Sequence, residues 1–145
     1  TIAAIPTMAA FLPIIAGQGG NAGIQTLTLV VRSLALGDIS LRDSWRTLVH
    51  ELAIGGLNGL IFGLAIGVVG MLWQGNLTIG IVVGAAMLFN LVAAALAGAI
   101  VPLGLRLFRI DPALASGVVV TTVTDGTGFF CLLGLATLLL SLGYL

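Results

Sequence analysis

Long apolar stretches separated by short polar connections organise the whole chain. Four stretches stand out, at about 1–31, 52–73, 79–105 and 112–142. About 20 apolar residues suffice for a helix to cross the hydrocarbon core of a bilayer. The pattern therefore predicts an all-α integral membrane protein, a bundle of four long, partly kinked transmembrane segments. The connections are 32–51, the uncharged Gln74-Gly75-Asn76, and 106–111. Asp111-Pro112 reads as a helix start, because Asp can accept an N-cap hydrogen bond and Pro at the first helical position loses no needed donor. In the second stretch Gly55, Gly59, Gly63 and Gly67 recur at every fourth position, and Gly80 and Gly84 repeat the device in the third. That spacing clears one helical face for close contact, and packing within one subunit is the preferred reading over a seam between subunits.

Composition sharpens the class. Only 7% of the residues are charged and 59% are hydrophobic, whereas a soluble domain carries about a quarter charged residues. Net charge is zero and lysine is absent, so there is no basic face for nucleic acid. Cys131 stands alone, which excludes a disulfide framework or a cysteine-rich metal site and leaves it as a small core residue. Arg32, Arg42 and Arg46 lie in the first connection and Arg106 and Arg109 in the third, while the second has no charge. The positive-inside rule places the first and third connections on the cytoplasmic side. Trp73, beside the uncharged turn, fits an aromatic anchor at the outer interface. The first residues lack the basic region of a signal peptide. Their abrupt, uncharged start leads to the expectation that an upstream part with another span precedes them.

Asp125 is the exception to the charge pattern. It lies about 21 Å along the last helix at 1.5 Å per residue, well inside an apolar core of about 30 Å. A carboxylate at that depth is costly unless it meets water, a cation or a partner, and no arginine shares its span. Ion or proton handling is favoured over a protonated aspartate that merely locks helices. Gly117 and Thr121 precede it at successive turns on the same face, a low-bulk stripe open to a hydrated ion. Ser116, Thr122, Thr124 and Thr127 add hydroxyls nearby, each more simply bonded to its own helix.

The second polar patch runs from Gly17 to Gln25. With Pro13 one turn earlier, its glycines are expected to loosen the helical ladder and free carbonyls. Pro13, Gly17, Gly20, Asn21 and Gln25 are the candidate lining of a polar pathway. With no lysine and no strand context, the patch is not a phosphate loop. His50 and Glu51 are expected to be solvated at the cytoplasmic edge, and one His without partners is no metal site. Asn58 and Asn90 read as interhelical hydrogen-bond partners, and Asp38 and Asp43 as solvated loop residues. Asp111 is a cap first, with a second role at the cytoplasmic mouth.

The runs PIIAGQGGNAGIQ (13–25) and DPALASGVVVTTVTDGTG (111–128), with RSLALGDI (32–39) between them, resemble the signatures of the MgtE magnesium channels. The resemblance covers practically the whole chain, with the motifs in the right order and spacing. It implies a homodimer with five membrane helices per subunit, of which this chain looks like the second to fifth. It implies a pore on the dimer axis lined by the first and last spans of this chain. There Asp125 is the pore aspartate and Thr121 offers a backbone carbonyl to hydrated Mg2+, the transported ion. Some family members have asparagine where this chain has Gly117, so the ligand set differs there. The family's cytosolic magnesium-sensing domains, a helical domain and a CBS pair, are expected in the full-length protein and not within 1–145, which reads as one transmembrane pore domain. The family's acidic residue at Asp111 binds magnesium between membrane and cytosolic domains, a role that depends on those domains.

The expected function is therefore transport of magnesium or another divalent cation across the plasma (inner) membrane, and not enzymatic. The alternative is a secondary transporter exchanging a divalent cation against sodium or protons. An intramembrane aspartyl protease needs two carboxylates sharing a proton, and one chain supplies a single one within its spans.

Overall fold

Helices form wherever the apolar stretches run, and their ends fall where the sequence supplies caps. The computed structural model describes residues 4–40 and 44–143; Thr1 at the head of the first stretch, and Arg42 and Asp43 in the first connection, lie outside the described residues. The helices are α1 (Ala4–Ala9), α2 (Leu12–Leu36), α3 (Ser44–Gln74), α4 (Leu77–Leu107) and α5 (Pro112–Ser141), with no strand among the described residues. The chain is an all-α membrane helical bundle. Asp111 caps α5 as its sequence predicts, its Oδ1 accepting from the Ala113 amide at 3.0 Å. Asn76 caps α4 in the same way, accepting from the Thr78 amide at 2.8 Å. Gly75 precedes it at φ 62°, a left-handed backbone that an L side chain strains to adopt, and so α3 turns back into α4 within two residues.

The first stretch differs from its prediction. Its break falls at Ala10–Phe11, not at the glycine patch, and α2 runs unbroken through Gly17-Gln18-Gly19-Gly20-Asn21. Pro13 causes this. Lacking an amide hydrogen, it cannot continue α1 but loses nothing in the first turn of α2. The glycines therefore free no carbonyls by unwinding. Two of them serve close packing instead: a Cβ on Gly19 would lie 2.2 Å from Asn90 Nδ2, and one on Gly23 2.6 Å from Val120 Cγ1.

Among the described residues α3, α4 and the 116–141 part of α5 are each long and apolar enough to cross a membrane. The fourth expected span, α2, is long enough at about 37 Å for its 25 residues. Gln18, Asn21, Gln25, Thr26 and Thr28 in its middle keep it from equal apolarity.

α4 is the central helix, packed by α3 on one side and by α5 and α2 on the other. The α3–α4 contact is backbone against backbone. A Cβ on Gly63 would meet the Gly84 carbonyl oxygen at 2.7 Å, and one on Gly84 would meet the Gly63 oxygen at 2.7 Å. Gly67 and Gly80 repeat this reciprocity at 2.9 and 2.6 Å, Gly59 lies against Leu88, and Gly55 against Ala95. The glycine stripe is thus packing within one chain. On the other side of α4, Met8, Phe11, Ile15, Val83, Met87 and Leu132 form the largest apolar core. Trp73 reaches that end of the bundle, its ring 5.5 Å from Phe11 in an edge-to-face contact. The outward faces, including Leu57, Leu64, Leu72 and Phe130, remain exposed, as lipid or another protein surface requires.

Candidate functional site

α5 carries the candidate stripe. Successive α-helical turns align Gly117, Thr121 and Asp125, with Gly117 and Thr121 half-buried and Asp125 exposed on the surface of the single chain. The neighbours that turn inward are Ser116, Val120 and Thr124, all buried. They anchor α5 to the bundle and leave the stripe along its flank. Among the described residues Asp125 has neither an ion pair nor a hydrogen bond within the chain.

The hydroxyls around it turn back on their own helix. Thr121 Oγ1 donates to the carbonyls of Gly117 and Val118, both at 3.1 Å. Thr122 Oγ1 donates to Val118 at 2.8 Å, Thr124 Oγ1 to Thr121 at 3.0 Å, and Ser116 to Pro112. The carbonyls of Gly117 and Thr121 therefore each accept a hydroxyl in addition to the helical amide. Oxygen ligation by either needs its hydroxyl to rotate away or to share the lone pair.

α2 brings part of the second patch to this flank. A Cβ on Gly20 would lie 3.9 Å from Thr124 Oγ1, and one on Gly117 would lie 3.7 Å from Ile24 Cδ1. Glycines on both helices thus let α2 and α5 lie close beside the stripe. Pro13, Gly17 and Asn21 are exposed. They share the outward side of α2 with Gly20 and Ile24, since positions 13, 17, 20, 21 and 24 fall within one helical arc. Gln25 is placed differently. Also exposed, it borders a partly open cavity between α2, α3 and α4, together with Thr26, Glu51 and Asn58.

Glu51 overturns its expected solvation. It is 6% exposed, accepts from Thr26 Oγ1 at Oε2 (3.1 Å) and has His50 Nδ1 3.3 Å from Oε1. Only His50 fits the expectation, with its side chain 72% exposed. The physical reason is the glycine stripe. Glu51 lies one turn before Gly55, so it occupies the face that α3 turns towards α4. The series 51, 55, 59, 63 was the available signal, and it places an acid at the head of a packing face.

Asn90 is an interhelical partner as predicted: fully buried on α4, it donates from Nδ2 to the Ile15 carbonyl of α2 at 2.7 Å. Its Oδ1 has no partner. Asn58 makes no hydrogen bond among the described residues. No cluster of three His, Cys, Asp or Glu side chains occurs among the described residues. Arg32, Arg46, Arg106 and Arg109 are all exposed at the end of the bundle where α2 and α4 finish and α3 and α5 begin. There Arg106 Nη1 donates to the Leu34 carbonyl at the end of α2, at 3.4 Å.

Comparison with known proteins places this geometry in context. Residues 12–135 match the family model MgtE, described as a divalent cation transporter. The chain is 39% identical over 138 residues to the magnesium transporter MgtE of Thermus thermophilus, covering 94% of this chain. It is 37% identical over 131 residues to that of Enterococcus faecalis, and 31% over 133 residues to that of Bacillus subtilis, covering 90% and 92% of this chain. The chain spans about 30% of the length of these curated relatives.

Proposed function

Because the chain belongs to the MgtE family of divalent cation transporters, we propose that it forms the membrane pore through which magnesium crosses, as a symmetric homodimer in the plasma membrane. The observation that carries this reading is Asp125, a carboxylate about 21 Å along a membrane helix and exposed on the surface of one chain without a partner among the described residues. Left against lipid it would cost several kcal/mol. A second copy facing it would turn two such carboxylates towards one axis and let a cation neutralise them.

The chemistry suits magnesium. The ion sheds water reluctantly, keeps octahedral geometry, and is commonly held by one or two carboxylates through its water shell. Two Asp125 side chains would supply up to two negative charges. The Thr121 hydroxyl and the carbonyls of Gly117 and Thr121 would accept hydrogen bonds from the shell once the internal bonds to them give way. With glycine at 117 no side-chain amide contributes, so the site rests on carboxylate and backbone. Gly17, Gly20 and Asn21 on α2 would flank the path beside α5, with Pro13 at its outer end. Gln25 would reach it only where the path widens towards α3. Asp111, as cap of α5, would stand at the cytoplasmic mouth, on the arginine-bearing end where cytosolic sensing domains of the full-length protein would act. Conduction needs binding that admits the ion without trapping it, which one ring of carboxylates satisfies better than a closed cage.

The test is magnesium flux into liposomes carrying the purified chain, with and without an imposed sodium or proton gradient. Flux driven by the magnesium gradient alone and lost in Asp125→Ala is the expected result. Flux that requires a second gradient would identify an exchanger. Undiminished flux through a folded Asp125→Ala protein would remove Asp125 from the mechanism.

A further inference from the structure

The cavity between α2, α3 and α4 shares only Gln25 with the proposed path, and it holds a buried carboxylate, Glu51. Its volume is about 80 Å3, and Gln25, Thr26, Glu51 and Asn58 give it four polar side chains. Gly55, Leu91 and Ala95 form its apolar wall. Thr26 and Glu51 are 7% and 6% exposed. Glu51 has no arginine within ion-pair distance among the described residues, and its neighbour His50 is a cation only when protonated. Gln25 and Asn58 carry amides with no hydrogen bond among the described residues. A buried carboxylate is retained at acceptable cost only when a cation or several hydrogen bonds compensate it.

We propose that this cavity is a binding site for a small monovalent cation, sodium, held by Glu51 with oxygens of Thr26, Gln25 and Asn58. The donors are hard oxygens, the ligand type of alkali and alkaline-earth ions. Charge chooses between those two classes. Magnesium stripped of most of its water shell would face one carboxylate, too little charge to offset its dehydration. A sodium ion, which gives up water more readily, matches the single negative charge. The site joins α2 to α3, which otherwise meet chiefly through α4, so the ion would tie these helices together.

The test is thermal unfolding of the purified chain in detergent, magnesium-free and at fixed pH, titrated with NaCl against choline chloride at constant ionic strength. A ligand that binds only the folded state raises the melting temperature in a saturable way, and sodium is expected to do so by several degrees. Glu51→Gln should abolish the rise, and Asn58→Leu or Gln25→Leu should move the sodium midpoint upward about tenfold, the loss of one good ligand. Asp125→Ala should leave the sodium response intact, which separates this site from the proposed pore. Equal responses to sodium and choline overturn the proposal, as does a Glu51-dependent response to magnesium without one to sodium. If Glu51→Gln fails to fold, the other two variants decide, and an unmoved midpoint in both refutes the site.

Discussion

Replacing Gly63 by alanine tests the backbone-to-backbone contact of α3 with α4. The new Cβ would stand 2.7 Å from the Gly84 carbonyl oxygen, where ordinary contact begins at 3.4 Å. The obstacle is backbone on a central helix, so no side chain can swing aside, and the helices must part locally by about 0.7 Å. Overpacking of this kind costs about 1–3 kcal/mol, partly offset by a helix-propensity gain of up to about 1 kcal/mol for Gly→Ala. A net loss of about 1–2 kcal/mol is expected. Gly84→Ala should cost the same, because its Cβ meets the Gly63 oxygen at the same 2.7 Å. The two clashes are relieved by one movement, so the double variant should cost less than the sum, by at least about 0.5 kcal/mol. Gly56→Ala is the control, with nothing within 4 Å of its Cβ, and should be neutral or slightly stabilising. Unfolding equilibria in mixed micelles measure all four variants. If Gly63→Ala matched Gly56→Ala, or if the double variant were additive, the reciprocal contact would not be what holds the hairpin.

Two further changes probe α2 and α5. Gly19→Ala drives a methyl to 2.2 Å from Asn90 Nδ2 and should destabilise by about 1–3 kcal/mol; Asn90→Ala, costing about 1 kcal/mol alone, should restore much of that loss in the double variant. Failure of the rescue in the same micelle assay would mean that Gly19 is needed for something other than room for Asn90. Asp111→Ala removes the α5 cap and should cost about 1 kcal/mol, seen as faster amide hydrogen exchange at 113–115. Unchanged exchange there would show that the cap bond contributes little.

Helix class and the bounds of α4 and α5 were legible because each depends on local pattern, whereas five helices stand where four stretches were expected and α3 begins at Ser44, inside the expected first connection. Arginines mark one end of the bundle, Asp111-Pro112 states where α5 starts, and the four-residue glycine repeat announces a close helix neighbour. What escaped depends on which neighbour a face meets. Glycines at 17–23 are equally consistent with a loosened helix and with a tightly packed one. Only the presence of Asn90, Val120 and Thr124 against Gly19, Gly20 and Gly23 decides for packing. Glu51 was misread for a related reason. Its place near the polar connection suggested water, while its alignment with Gly55 turned it inward. The hydroxyls of Thr121 and Thr124 were legible as helix-bonded groups, but that they occupy the carbonyls of Gly117 and Thr121 needed coordinates.

The two-residue turn at Gly75–Asn76 also fixes an order of assembly. The paired glycines of α3 and α4 sit close to that turn along the chain, so the hairpin can close with little loss of chain entropy. It can do so as soon as both helices are in the bilayer. The bond from Asn90 to the Ile15 carbonyl joins residues 75 apart and belongs to a later event. Local contacts form before distant ones, so α3 and α4 provide a finished surface on which α2 and α5 subsequently dock. Whatever α2 and α5 do together is thus built last, on a support that is already rigid.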